Sequence, residues 1–227
     1  MKLKKLGAAL DVVLAFGAVM ASSAFATATT ETVNWKTGAT AGGVTTLVGT
    51  QAVTSSATEN FTLETTVATK PLVLEATGTS CVSCVIENSS GAKGKGFIEF
   101  QNVQVIEPAT CKVSGEKVLT KELKVDATYM EGTSNLIQFL PVGSTFATLK
   151  LEKKGTPACP ISGSYNITGS VFGKSANATK VFKTSQGVSF SGAINSAAGG
   201  ALFFEAEPAS LKGAASFVAG GKFFGTE

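Results

Sequence analysis

Four cysteines, Cys81, Cys84, Cys111 and Cys159, carry the most chemistry that spacing alone can suggest in this chain. Cys81-x-x-Cys84 has the spacing of a thiol–disulfide exchange site, which requires a helix N-terminus or a neighbouring cation to depress a thiol pKa within a βαβ setting. Neither feature appears around residues 79–86, and residues 82–87 read instead as a strand. A four-cysteine zinc site calls for a second close pair, and Cys111 and Cys159 lie far apart in sequence. Disulfides are the remaining reading, with Cys111 to Cys159 the expected bridge and Cys81 or Cys84 in a possible second one. In an extended strand Cys81 and Cys84 point to opposite faces with Cα atoms about 10 Å apart, at about 3.3 Å per residue. A bridge between them then needs a turn.

Other spacings imitate catalytic motifs and fall short. Ser90-x-x-Lys93 and Ser114-x-x-Lys117 match the Ser-x-x-Lys pattern of serine acyl-enzymes, but both sit in Gly-flanked turns. Gly169-Ser-Val-Phe-Gly173-Lys174-Ser175 is one residue short of a phosphate loop, with Thr168 where the first glycine belongs. Fourteen glutamates make some carboxylate pair inevitable, and Glu99, Glu122 and Glu152 read as solvent-facing strand residues rather than a glycosidase pair. The chain has no histidine and no arginine. Imidazole acid–base chemistry, a Ser-His-Asp triad, a histidine zinc site and the guanidinium fork that reads guanine are therefore excluded. No catalytic, cofactor-binding or metal residue is assigned, and no nucleic-acid partner is expected.

The elements that hold these residues begin with an export leader. Lys2, Lys4 and Lys5 precede the mostly apolar residues 6–20, interrupted by Asp11, and Ala24-Phe25-Ala26 is a small-x-small cleavage site. Residues 1–26 read as a signal peptide and place the chain outside the cytoplasm, secreted or at the cell surface. Cleavage leaves 16 lysines against 15 acids, with Asp126 the sole aspartate, and this near-balance implies no electrostatic partner. Beyond the leader no apolar run reaches the ~18 residues of a membrane helix.

The rest alternates with the period of a half-buried strand. Leu123, Val125, Ala127 and Tyr129 oppose Glu122, Lys124, Asp126 and Thr128; Tyr165, Ile167, Gly169 and Val171 repeat the pattern; so do Val188, Phe190, Gly192 and Ile194. Further strands are expected over residues 61–67, 72–76, 82–87, 97–106, 136–140, 147–151, 201–205 and 211–218. The expected fold is all-β, an antiparallel β-sandwich or closed β-barrel of about ten to twelve short strands. Residues 27–57 form a Thr/Gly/Ala-rich segment that either hangs free or docks a strand through Trp35, ahead of a β domain over 58–227. Gly91-Ala-Lys-Gly-Lys-Gly96 is expected as a hairpin loop whose lysines guard strand edges.

Lys93-Gly-Lys-Gly96 opening a strand, Val105-Ile-Glu-Pro108 before Cys111-Lys-Val-Ser-Gly115, and Cys159-Pro-Ile-Ser-Gly-Ser-Tyr-Asn-Ile-Thr-Gly169 together resemble a group of exported, β-rich, cysteine-containing proteins common in soil actinobacteria. The likeness covers residues 61–218, and Phe172 stands where many members carry another cysteine. The group has no assigned activity, so the resemblance implies a fold and a compartment only.

Function is then expected to be non-enzymatic: a structural, adhesive or surface role, with self-association or cell-surface components as partners. The alternative is a binding module for a small apolar ligand or polysaccharide; a glutamate-based hydrolase comes third.

Overall fold

The computed structural model describes residues 29–227 apart from 31, 132, 133 and 179. The expected leader lies outside the described residues. Eighteen strands are assigned among them. In chain order the first seven are β1 (Thr29–Thr30), β2 (Trp35–Gly38), β3 (Thr45–Thr46), β4 (Thr50–Ala52), β5 (Thr54–Val67), β6 (Lys70–Asn88) and β7 (Ala92–Glu107). Then come β8 (Cys111–Val113), β9 (Lys117–Leu119), β10 (Leu123–Glu131), β11 (Ser134–Pro141), β12 (Thr145–Lys153), β13 (Gly163–Gly169) and β14 (Val171–Ala178). The last are β15 (Gln186–Phe190), β16 (Leu202–Phe204), β17 (Glu207–Val218) and β18 (Phe223–Thr226), with an α-helix, α1 (Gly192–Ala197), after β15 and a short 3-10 turn (Ser114–Glu116) before β9.

β5, β6, β7 and β17 are the longest strands and organise the molecule. One half of each joins β10, β11, β14 and β15 in a closed eight-stranded antiparallel barrel, in the order β5-β6-β7-β10-β11-β14-β15-β17. From the other half of β17 the sheet continues through β16, β13, β12 and β8, covering the far ends of the long strands. β9 pairs with β7, and Thr120 bridges to Ala147 of β12, so this second sheet also returns to β7.

The long strands pass from one half to the other by slipping a residue. Leu72, Leu74 and Ala76 of β6 face the core and Thr79 takes over; on β7, Val105 and Val103 give way to Phe100. The slip sits at Thr77 and Asn102, where Asn102 adopts φ +53° and donates its amide to Thr77 Oγ1 at 3.2 Å. Asparagine tolerates this left-handed conformation better than most residues.

Both halves share one core, from Leu72, Leu149 and Phe204 in the second sheet to Ile137, Phe139 and Val188 in the barrel. Val33, Trp35, Leu47 and Val53 belong to the same core, so the segment 27–57 is docked where it is described, and β5 runs through the expected boundary at 57/58. Exposed outward positions of the barrel include polar Lys95, Lys124, Ser56 and Thr58 and apolar Val82 and Leu140. Among the described residues no helix is long and apolar enough to cross a membrane.

Three expectations are corrected. Residues 72–76 and 82–87 belong to a single strand, β6. Gly192 and Ile194 lie in α1, where Ser191 caps the N-terminus by accepting from the Ile194 N–H at 3.2 Å. This local cap breaks the alternation inherited from Val188 and Phe190. Lys93 and Lys95 are strand residues of β7, paired across to Asp126 and Lys124; the hairpin turn lies at residues 89–91.

Candidate functional site

The motif residues do not converge. Cys111 of β8 is bonded to Cys159 in the loop after β12, with Cα atoms 4.7 Å apart. Cys81 and Cys84 are bonded to each other, Cα to Cα 5.6 Å. The strand is therefore not extended there: Ser83 takes φ +53° and the register of β6 against β7 shifts between Val82 and Val85. Gly96 faces this bulge, and a Cβ there would lie 2.6 Å from Cys84 Sγ. The apparent phosphate loop is mostly strand: residues 171–175 lie in β14, and only Gly169, at φ +95° and pressed against the Ala201 carbonyl, and Ser170 turn the chain from β13.

Two of the candidate carboxylates, Glu99 and Glu152, are bound to lysines rather than to each other. Glu99 accepts from Gln101 at 2.8 Å and Lys117 at 3.1 Å, and these bonds, Gln101 first, hold its carboxyl below the usual range. Glu152 is likewise lowered, by hydrogen bonds from Lys150 and then Ser114. A general acid needs the opposite shift. Among the described residues no three His, Cys, Asp or Glu side chains gather as a metal site.

What the fold does assemble is a barrel interior with a plug. β18, β2 and β3 form a three-stranded sheet across one mouth of the barrel. Trp35 is its anchor: 5% exposed, its indole N–H donates to the Lys93 carbonyl at 2.7 Å, and its ring lies 6.4 Å from that of Phe224. Asn88, at the tip of the β6–β7 hairpin, accepts the Trp35 backbone N–H at 2.7 Å and donates to the Trp35 and Leu47 carbonyls, each at 3.0 Å. Lys36 pairs with Glu227 at 2.8 Å, which lowers the Glu227 carboxyl pKa.

Beneath the plug lies a cavity of about 70 Å³, walled by residues from every side of the barrel, among them Val53, Ile86, Leu123, Phe139, Val188 and Phe217. The Cys81–Cys84 disulfide reaches its wall. Its polar side chains are spent on one another and on the plug. Asn177 donates to Gln186 Oε1 at 2.6 Å; Gln186 donates to the Val181 carbonyl at 3.3 Å and to that of Phe224; Asn135 donates to Thr226 Oγ1. Two smaller voids, of about 30 and 50 Å³, continue down the core and share Phe61 and Phe100 as lining. Phe61, Phe139, Phe190 and Phe217 stack through the intervening space at centroid distances of 5.5 to 6.4 Å.

No family model, curated protein or solved structure matches the chain.

The polar lumen residues were missed in the sequence. A signal was present: Gln186 is in phase with Val188 and Phe190, so a carboxamide sits on a strand's apolar face. Phe204 and Phe224 are buried at 1% and 2%, as core residues, while Phe203 is partly exposed.

Proposed function

We propose that the chain is an exported, non-enzymatic β-barrel protein with a structural or surface role, its partners meeting the outside of the barrel rather than the lumen. The observation that carries this reading is the plugged, aromatic-filled interior. An eight-stranded barrel is just wide enough either to be filled by side chains or to hold one small ligand. Here phenylalanines fill it, the carboxamides beneath the plug are bonded to one another and to the plug, and strands β2 and β18 close the mouth. Two disulfides support an oxidising compartment, since such bonds are rare in the cytosol, and they agree with the expected leader.

The reading predicts that the mature chain is recovered from the extracytoplasmic fraction, self-associated or attached to the cell surface. Fractionation of producing cells followed by sizing of the purified chain tests it. A chain retained inside the cell, or a monomer that adheres to no surface component, would overturn it.

One observation favours the second reading, a binder of a small apolar ligand: the cavity under Trp35. At about 70 Å³ it is well below the ~300–1,000 Å³ of ligand pockets, so a ligand would have to displace the plug. Trp35 itself is buried and cannot stack on a sugar.

A further inference from the structure

Within the closed barrel the β5–β6 ladder has a gap. The register runs from Val67↔Lys70 to Phe61↔Ala76 and stops. It resumes as Ala52↔Val85 on β4, with the Val53 N–H donating to the Cys84 carbonyl at 2.9 Å. Residues 54–60 and 77–83 thus face each other with no ladder pairing between them. Both lips carry the causes. β5 shifts register twice against β17, next to Gly213, and β6 is drawn into the Cys81–Cys84 bulge.

Among the described residues two buried side-chain hydroxyls lack any hydrogen-bond partner, Ser55 Oγ on one lip and Thr79 Oγ1 on the other. Thr79 is 6% exposed. Both line the same void of about 30 Å³, whose remaining wall includes Phe61, Phe100, Phe139 and Phe190. Buried hydroxyls are seldom left unpaired, because losing water without a substitute partner is costly. The contrast with the main cavity is informative: Gln186, Asn177, Asn135 and Thr226 all have partners there. The void is large enough for water, which needs about 10–15 Å³ and two or more polar contacts.

We propose that this seam is a hydration site in which water, held by Ser55 Oγ and Thr79 Oγ1, stands in for the missing β5–β6 ladder. The ligand class is water or a neutral hydroxyl-bearing molecule of its size. The rings behind the hydroxyls leave no group to balance a charge.

Water-selective nuclear Overhauser measurements on the folded, oxidised chain, with Thr79→Val as the comparison, test the site. A long-lived water should give cross-peaks to the Thr79 amide and methyl protons, and Thr79→Val should abolish them. Because valine keeps threonine's shape, the sign of the stability change is decisive. The thermal midpoint should fall by a few degrees if the variant strips a bound water of its partner. A midpoint that stays or rises means that the substitution removed an orphaned hydroxyl from a dry site, and it overturns the proposal. If Thr79→Val does not fold, the wild-type spectrum decides alone: cross-peaks support the site, and their absence refutes it. The outcome is independent of the proposed function.

Discussion

Replacing the cysteines pair by pair should separate two bridges of very different reach. Cys111 and Cys159 are 48 residues apart and close a loop that contains β9 through β12. On the chain-entropy relation a loop of that length stabilises by about 4 kcal/mol, and one closed over three residues by about 2 kcal/mol. Very short loops deviate from the relation, which makes the second figure an upper guide. Cys111 and Cys159 are also 1% and 5% exposed, so alanine leaves a void at the β8–β12 corner as well. The Cys111→Ala/Cys159→Ala double variant should therefore lose about 4 kcal/mol, and Cys81→Ala/Cys84→Ala about 2 kcal/mol or less. For a domain near 200 residues, at about 2–4 °C per kcal/mol, the larger loss lowers Tm by about 8–16 °C. Urea titrations followed by the fluorescence of the single tryptophan would measure both variants. A larger loss from the Cys81–Cys84 pair, or less than about 1 kcal/mol from the long loop, would show that loop length does not set the stabilisation.

The plug offers three further tests. Trp35→Ala removes a buried aromatic together with its bond to Lys93 and should cost about 3–5 kcal/mol in urea denaturation. Gln186→Ala strands the Asn177 amide and the Phe224 carbonyl and should cost about 1–3 kcal/mol, with faster amide exchange in β18 than in β10. Glu227 has a folded pKa below its unfolded value because Lys36 donates to it. Its contribution is present above the ordinary glutamate pKa and is lost as pH falls through the lowered folded value. Acid should thus loosen the β2–β18 pairing, seen as an acid-dependent change in Trp35 emission, and Lys36→Ala should weaken that dependence, leaving Lys180 3.8 Å from Glu227.

The fold class was legible because the alternation is local and strong. Leu123-Lys-Val-Asp-Ala127 turns one face inward whatever its neighbours, and Leu149-Lys-Leu151 does the same. Strand length was not legible: β6 reads as two strands because its inward face slips at Thr77 and its backbone bulges at Ser83, and both events depend on β7 opposite. The Cys81–Cys84 bridge was hidden by the same assumption of an extended chain. Trp35 stood out as an anchor through its size alone, but its seat on the Lys93 carbonyl is a tertiary fact. The lumen's carboxamides were visible only as in-phase exceptions, Gln186 among them. Nothing local distinguishes Ser55 and Thr79 from the many exposed hydroxyls of a chain rich in serine and threonine.

An exported, twice-bridged barrel that keeps its interior for itself, as proposed, would have one definite mass. Native mass spectrometry of the chain collected from the medium or surface of producing cells tests it most directly. The predicted mass is that of residues 27–227 less four hydrogens, with no bound small molecule. An uncleaved leader, free thiols or a stoichiometric organic adduct would contradict it.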